Sequence, residues 1–229
     1  REYCDNNGNS SIEKFHLYKL LDDSLRFFNE EALYESAISK MLVEEDLFVT
    51  SENRYALSML YYAEKRILEF FTRRKDEKNR KIIATFDEYL IKKQETLGFE
   101  LSTEQKKAVE LINNGDKTLF LIGYAGTGKS TSSRAILELL EETMSYDDIM
   151  TIALSGIASQ RISDTTGYNS STIQSLIMKH KEKDFFPYKA ILLDEASMVN
   201  SVTFNKKKKK IDDDSIFITV GDDGQLPAI

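Results

Sequence analysis

The sequence predicts an α/β fold in which a parallel sheet is covered by helices and preceded by a mainly helical N-terminal region. Three observations carry this. Almost wholly apolar runs (Leu119–Ile122, Met150–Leu154, Ala190–Leu193, Ile216–Val220) alternate with helical patterns through the second half, as strands buried on both faces do. The first of these runs enters a glycine-rich loop, Gly123–Ser130, and then Lys129–Glu142, where Ile136, Leu137, Leu139 and Leu140 form an apolar helical stripe. The first half holds no glycine between Gly8 and Gly98 and no proline before Pro187, which suits long helices.

Composition narrows the function classes. A chain of 229 residues allows one or two domains. No apolar stretch approaches the ~20 residues of a membrane span, so no membrane partner is expected. The opening Arg1–Glu13 is polar and unlike a secretion signal, and the missing initial Met suggests a fragment. Cys4 is the single cysteine, which precludes an internal disulfide or a CxxC metal site and fits the cytoplasm. A net charge of −7 excludes a uniformly basic nucleic-acid coat but leaves room for a local basic groove.

Element by element, Ile12–Asn29 reads as a helix with Phe15, Leu17, Leu20, Leu21, Leu25 and Phe28 at helical spacing. Glu31–Val43 repeats the pattern. Asp46–Val49 and Arg54–Leu57 flank a turn, as in a short hairpin. A helix over Leu57–Arg74 should face Met59, Leu60, Ala63, Ile67, Leu68 and Phe71 inward, and Ile82–Leu97 should form another. Residues 1–97 thus read as one domain, winged-helix-like, and residues 98–229 as a second. Such a module serves DNA or protein docking, although Glu44, Glu45 and Asp46 beside the wing would repel phosphate.

The chemistry lies at the ends of the predicted strands. Gly123-Tyr124-Ala125-Gly126-Thr127-Gly128-Lys129-Ser130 matches G-x-x-x-x-G-K-[ST] between a strand and a helix. Glycines let backbone N–H groups turn around phosphates at a helix N-terminus. Lys129 is suited to the β- and γ-phosphates and Ser130 to Mg²⁺, with Thr131 following in the helix. Ala190–Leu193 ends in Asp194, suited to hold Mg²⁺, and Glu195, suited to deprotonate the attacking water. Ile216–Val220 leads to Gly221-Asp222-Asp223-Gly224-Gln225, where Gln225 could sense the γ-phosphate. Gln105 has two readings, as the partner of Ser102 in a capping box and as a reader of the adenine edge.

In this order, Leu101–Gln105, Gly123–Thr131, Leu154–Leu176, Leu192–Asn200 and Val220–Ala228 resemble the N-terminal part of RecD-like superfamily 1 DNA helicases, the family of the exonuclease V alpha subunit. The resemblance implies a first RecA-like motor domain that uses ATP and Mg²⁺ to move 5′ to 3′ along single-stranded DNA towards a duplex fork, in recombination or repair. It implies adenine contact by Gln105, phosphate and metal contacts by Lys129, Ser130 and Asp194, a base in Glu195 and a sensor in Gln225. Ser155, Gly156, Ser171 and Thr172 fall in segments that grip the DNA backbone. Ile157 and Gln174 depart from the basic residue and histidine common there. A small wedge hairpin is implied at residues 178–188, where Phe185 and Phe186 could stack on bases or pack locally and His180 reads as a solvated loop residue. A second RecA-like domain, implied by the family, is missing after Ile229, so the 229 residues alone should bind ATP weakly, hydrolyse it slowly and unwind nothing. Nuclease-complex subunits are possible partners, since no nuclease-like metal cluster is visible. The competing functions are a phosphate-loop ATPase acting on protein or as a switch, and a docking module. Lys206–Lys210 reads as a solvated helix end or as a DNA-backbone contact.

Overall fold

The computed structural model describes residues 10–25 and 31–222. Within them the chain forms two compact units, residues 10–68 with 200–205, and residues 69–199 with 206–222. No helix among the described residues is long and apolar enough to cross a membrane.

The first unit contains β1 (Ser11–Glu13), α1 (Lys14–Leu25), α2 (Glu31–Val43), β2 (Leu47–Val49), β3 (Arg54–Leu57) and the first turns of α3 (Ser58–Lys75). Its antiparallel sheet has the order β1-β3-β2. The expected hairpin is present. Thr50 N donates to Arg54 O at 2.8 Å, and Asn53 takes the left-handed φ of 58° that asparagine tolerates. The helix expected from Ile12 instead begins at Lys14, because Ser11–Glu13 pairs with β3. Arg54 secures that strand through Ser11 Oγ at 2.9 Å, Ser11 O at 3.0 Å and Glu13 at 3.2 Å. Phe28 and the Leu25 side chain lie outside the described residues. In α3 the inward face runs through Ala63, Ile67, Phe70 and Arg74, so Met59 and Leu68 are exposed rather than inward.

The second unit contains α4 (Phe86–Leu97), α5 (Thr103–Asn113), β4 (Thr118–Ile122), α6 (Lys129–Glu141), β5 (Ile149–Ala153), α7 (Gly156–Thr166), β6 (Ser170–Thr172), α8 (Ile173–Lys179), β7 (Ala190–Leu193) and β8 (Ile216–Gly221). A further helix, α9 (Ser201–Lys207), precedes β8. The five-stranded sheet has the order β4-β8-β7-β5-β6, and every pairing is parallel. This is the predicted α/β architecture, with β6 as an addition. Val109 and Ile112 of α5 and Ile136, Leu137, Leu139 and Leu140 of α6 are fully buried against the sheet. β5 is buried throughout, whereas Phe120 and Ile122 on the edge strand β4 are exposed.

The expected boundary at 97/98 falls inside this unit, because Ile82, Ile83, Phe86, Tyr89 and Leu90 pack on its core. The last of the N-terminal helices starts at Phe86 rather than Ile82. Residues 82 and 83 lie outside any helix or strand and are held by Asn113, which is fully buried. Its Oδ1 accepts from Ile83 N at 2.9 Å, its Nδ2 donates to Ile83 O at 3.2 Å, and its carbonyl accepts from Ile82 N at 3.0 Å. Asn113→Leu strands both Ile83 groups and is expected to cost about 1–3 kcal/mol, read as a lowered urea midpoint. No change in the midpoint would contradict this role.

Arg74, only 1% exposed, ties the end of α3 to the starts of β4 and β8. Its guanidinium donates to Thr118 Oγ1 at 3.2 Å, to the carbonyls of Asp212 and Asp213 at 3.1 Å each, to Lys117 O at 3.4 Å and to Ser215 O. Phe70 lies under it at 5.2 Å.

Residues 180–189 form turns, with no paired strands where the resemblance implied a hairpin. Lys210 Nζ takes up the carbonyls of His180, Lys181 and Lys183, and Phe186 N donates to Lys210 O at 2.7 Å. Those backbone groups are therefore not free for a ladder. Phe186 is buried and Phe185 is half-exposed. His180 is also buried rather than solvated, with Nε2 3.3 Å from the Tyr188 hydroxyl. Burial, reinforced by Lys183, Lys179 and Lys210, holds its pKa below the usual histidine value. The lysine run is correspondingly less solvated than expected. Lys207 donates to Gln174 Oε1 at 3.1 Å, Lys208 lies over Phe70, and only Lys206 and Lys209 of the five are exposed.

Candidate nucleotide site

The phosphate-binding loop forms between the carboxyl end of β4 and the first turn of α6. Gly128 caps that helix at φ 82°, ψ 22°. A side chain there would be strained, and its Cβ would lie 2.3 Å from Gln105 Nε2. Gly123 is also confined, though less tightly, since a Cβ would meet Thr127 Oγ1 at 2.8 Å. Thr127 Oγ1 donates to Tyr124 O at 2.9 Å and holds the loop's curvature. Lys129 folds onto the loop, with Nζ 2.5 Å from Gly123 O and 2.8 Å from Tyr124 O. It also lies 3.8 Å from Asp222 Oδ2 at the end of β8. Gly128→Ala is expected to cost about 1–3 kcal/mol in urea denaturation. Gly156→Ala, with open space around the added methyl, should stay within about 0.5 kcal/mol. Equal effects at the two glycines would contradict the confinement of Gly128.

Gln105 forms the capping box and also reaches the phosphate loop. Its Oε1 accepts from Ser102 N at 2.8 Å and its backbone N–H donates to Ser102 Oγ at 3.3 Å, closing the capping box. Its Nε2 also donates to Gly128 O at 3.3 Å. One N–H and one lone pair of the amide stay available to a base. Beside it, a cleft of 520 Å³ is lined by Leu111, Leu119, Leu121 and Tyr124.

The sheet order decides what faces the loop. β8 lies between β4 and β7, and all three run parallel, so their carboxyl ends share one edge of the sheet. A cleft of 380 Å³ opens there. It is lined by Ala125, Gly126, Gly128, Lys129 and Ser130 on one side and by Asp194 and Glu195 on the other, with Arg161 and Asp222 completing it. Asp194 is buried, and its N–H donates to Ile152 O at 2.8 Å. Glu195 holds a left-handed backbone of φ 53°, ψ 38° at the start of a short helical turn. Residues with side chains adopt that region uncommonly. A lysine, a hydroxyl and two carboxylates around one cleft fit a magnesium-bound triphosphate, because Mg²⁺ takes one or two carboxylates and completes its shell with phosphates and water.

Arg161 lies outside every motif residue given a role, and Asp222 lies inside the motif that follows β8 without having been given one. Arg161 Nη2 lies 2.8 Å from Glu195 Oε1 and 3.5 Å from Asp194 Oδ2. Gln225 lies outside the described residues. Thr131 stands one residue beyond Ser130 in α6 and is partly buried.

The residues expected to touch DNA lie at the carboxyl ends of two neighbouring parallel strands. Ala153 of β5 pairs with Thr172 of β6. Ser155 caps α7, accepting from Ala158 N at 3.1 Å, and Gly156 opens that helix. Thr172 caps α8, accepting from Ser175 N at 3.1 Å and donating to Ser175 Oγ at 2.8 Å. Ser171 Oγ donates to Thr172 O at 3.3 Å.

Comparison with known proteins agrees with this geometry. The AAA domain family matches residues 100–229. The ATP-dependent RecD2 DNA helicase of Deinococcus radiodurans is 26% identical over 193 residues, covering 79% of this chain and 25% of that protein. The ATP-dependent DNA helicase RRM3 of Saccharomyces cerevisiae is 29% identical over 150 residues, covering 56% of this chain and 21% of the relative. The chain thus spans about a quarter of the length of these relatives. The crystal structure of the UvsW helicase from bacteriophage T4 shares the fold, with a TM-score of 0.50 at 13% identity, over 76% of this chain and 73% of that one. With its loop, acid strand and sheet order in place, the chain belongs to the AAA domain family and is similar to a RecD-like helicase.

Proposed function

We propose that this chain is the nucleotide-binding half of an ATP-dependent DNA helicase that moves 5′ to 3′ along single-stranded DNA towards a duplex fork, in recombination or repair. The observation that carries the reading is the single cleft joining Lys129 and Ser130 to Asp194 and Glu195, with the DNA-segment residues one and two strands further along the same sheet edge. In this reading Lys129 leaves the loop carbonyls for the β- and γ-phosphates, and backbone N–H groups from Gly123 to Ser130 cradle them. Ser130 and Asp194 would hold Mg²⁺, which supplies charge neutralisation on the phosphates. Glu195 orients the attacking water and accepts its proton. Gln105, beside an apolar cleft, reads adenine. Ser155, Gly156, Ser171 and Thr172 contact DNA phosphates, contacts that fix position and carry no base sequence. The RecD2 relative is named as an ATP-dependent DNA helicase, which supports the same reading.

The test is ATPase activity of the full-length protein with and without single-stranded DNA, wild type against Lys129→Ala. DNA-stimulated turnover in the wild type, reduced at least about a hundredfold by the substitution, is expected. Turnover that depends on Lys129 but ignores DNA would favour a phosphate-loop ATPase acting on protein. Unaltered turnover in Lys129→Ala would remove the nucleotide site from this loop.

A further inference from the structure

Arg161 sits midway along α7 with its side chain 61% exposed, yet it is paired with both carboxylates of the acid strand. Exposed ion pairs gain little and cost side-chain freedom, so stability alone is a weak reason for this contact. It has a specific target. Glu195 is the carboxylate placed to activate water, and its left-handed backbone is a form of strain that collects at functional sites.

Arg161 also shares a rigid element with two of the residues expected to touch DNA. Ser155 caps α7 and Gly156 opens it, and Arg161 follows five residues later, about 7.5 Å along the axis. β5, which feeds α7, pairs with β7, which ends at the acid pair. Phosphate seated at the start of α7 would thus bind the same helix that carries the guanidinium.

On the motor reading above, we propose that Arg161 is a positioning residue, a latch that holds the Glu195 carboxylate until DNA engages the N-terminal end of α7. While the latch is closed, Glu195 Oε1 accepts from the guanidinium. When it opens, that oxygen accepts a proton from water as the water oxygen bonds to the γ-phosphorus. The bond from phosphorus to the bridging oxygen then breaks, and its electron pair leaves with ADP.

The experiment is steady-state ATP hydrolysis by the full-length protein, with and without a dT oligonucleotide, for wild type, Arg161→Ala and Arg161→Lys. Arg161→Ala is expected to raise the DNA-free kcat about three- to tenfold, leave KM for ATP within about twofold, and shrink the stimulation by DNA by the same factor. Arg161→Lys, which keeps the charge without the planar fork, should fall between the two. A fall in DNA-free kcat, or a several-fold rise in KM, would place Arg161 on the phosphates and overturn the latch. An unchanged stimulation ratio would overturn it as well. Thermal melting checks folding, and if Arg161→Ala unfolds, Arg161→Gln is judged by the same criteria. A wild type whose hydrolysis ignores DNA would sink the motor reading and the DNA trigger together. The DNA-free rate of Arg161→Ala would then still show whether the ion pair restrains Glu195.

Discussion

Glu195→Gln is expected to slow ATP hydrolysis by about 10²–10⁴-fold while the nucleotide stays bound. The substitution is nearly isosteric and keeps an oxygen for the Arg161 guanidinium now 2.8 Å away, so the cleft should hold its shape. What disappears is the ability to take a proton from water. Lys129, Ser130 and Asp194, which line the same cleft, are untouched and should still bind the triphosphate and its metal. Single-turnover hydrolysis, paired with titration of a fluorescent ATP analogue, separates the two properties. A rate within tenfold of wild type would show that another group activates the water. Lost binding would show that Glu195 supports the site rather than the reaction.

Arg74→Met should destabilise the fold by about 3–5 kcal/mol, more than Asn113→Leu or Gly128→Ala. Methionine can fill much of the volume, but it strands the carbonyls of Lys117, Asp212, Asp213 and Ser215 and the Thr118 hydroxyl. Each acceptor loses a charged donor in a site that water barely reaches. The arginine itself is costly to bury, and burial lowers its pKa against the opposing pull of Asp213 and Glu77. Removing it therefore recovers some desolvation, which is why the expected loss stays well below the sum of five hydrogen bonds. Urea denaturation of the 229-residue chain reads the effect, and a loss under about 1 kcal/mol would mean that water replaces the guanidinium. Because β4 and β8 both start at this clamp, a milder, local form of damage would appear as weakened nucleotide binding in a folded protein.

The parts of the fold that are legible in the sequence are those where one face or both faces are apolar. Ile149–Ala153 is buried at every position, and the stripe at Ile136, Leu137, Leu139 and Leu140 is fully inside, so periodicity finds both. β6 is not legible, because Ser170–Thr172 is a polar, half-buried edge strand with no apolar run. β1 is hidden because three residues that pair with β3 precede α1 without a break in the apolar spacing. The start of α4 is misplaced by periodicity because Ile82 and Ile83 look helical in sequence, while their backbone groups are satisfied by an asparagine 30 residues away. Met59 and Leu68 look inward by residue type alone, whereas the buried face of α3 continues through a charged residue, Arg74.

The same division holds at the site. The phosphate loop and the acid pair carry residue types dictated by their chemistry, at fixed distances from a strand end, and the structure brings them together. Arg161 becomes visible only through long-range pairing, and Asp222, although inside a quoted motif, shows its partner Lys129 only in the structure. A lysine or arginine on a helix and an aspartate after a strand are ordinary in sequence, and nothing local marks their partners. Gln105 illustrates a third case. The spacing shows the capping box, but the bond to Gly128 O joins residues 23 apart, and it gives the confined glycine its neighbour.

The most direct test is titration of the 229-residue chain with a fluorescent non-hydrolysable ATP analogue, with and without Mg²⁺, for wild type, Lys129→Ala and Asp194→Asn. The account predicts saturable binding that Mg²⁺ strengthens, loss of binding in Lys129→Ala, and residual binding indifferent to Mg²⁺ in Asp194→Asn. Three indistinguishable curves would show that the loop and the acid strand do not form one nucleotide site, and would contradict the account at its centre.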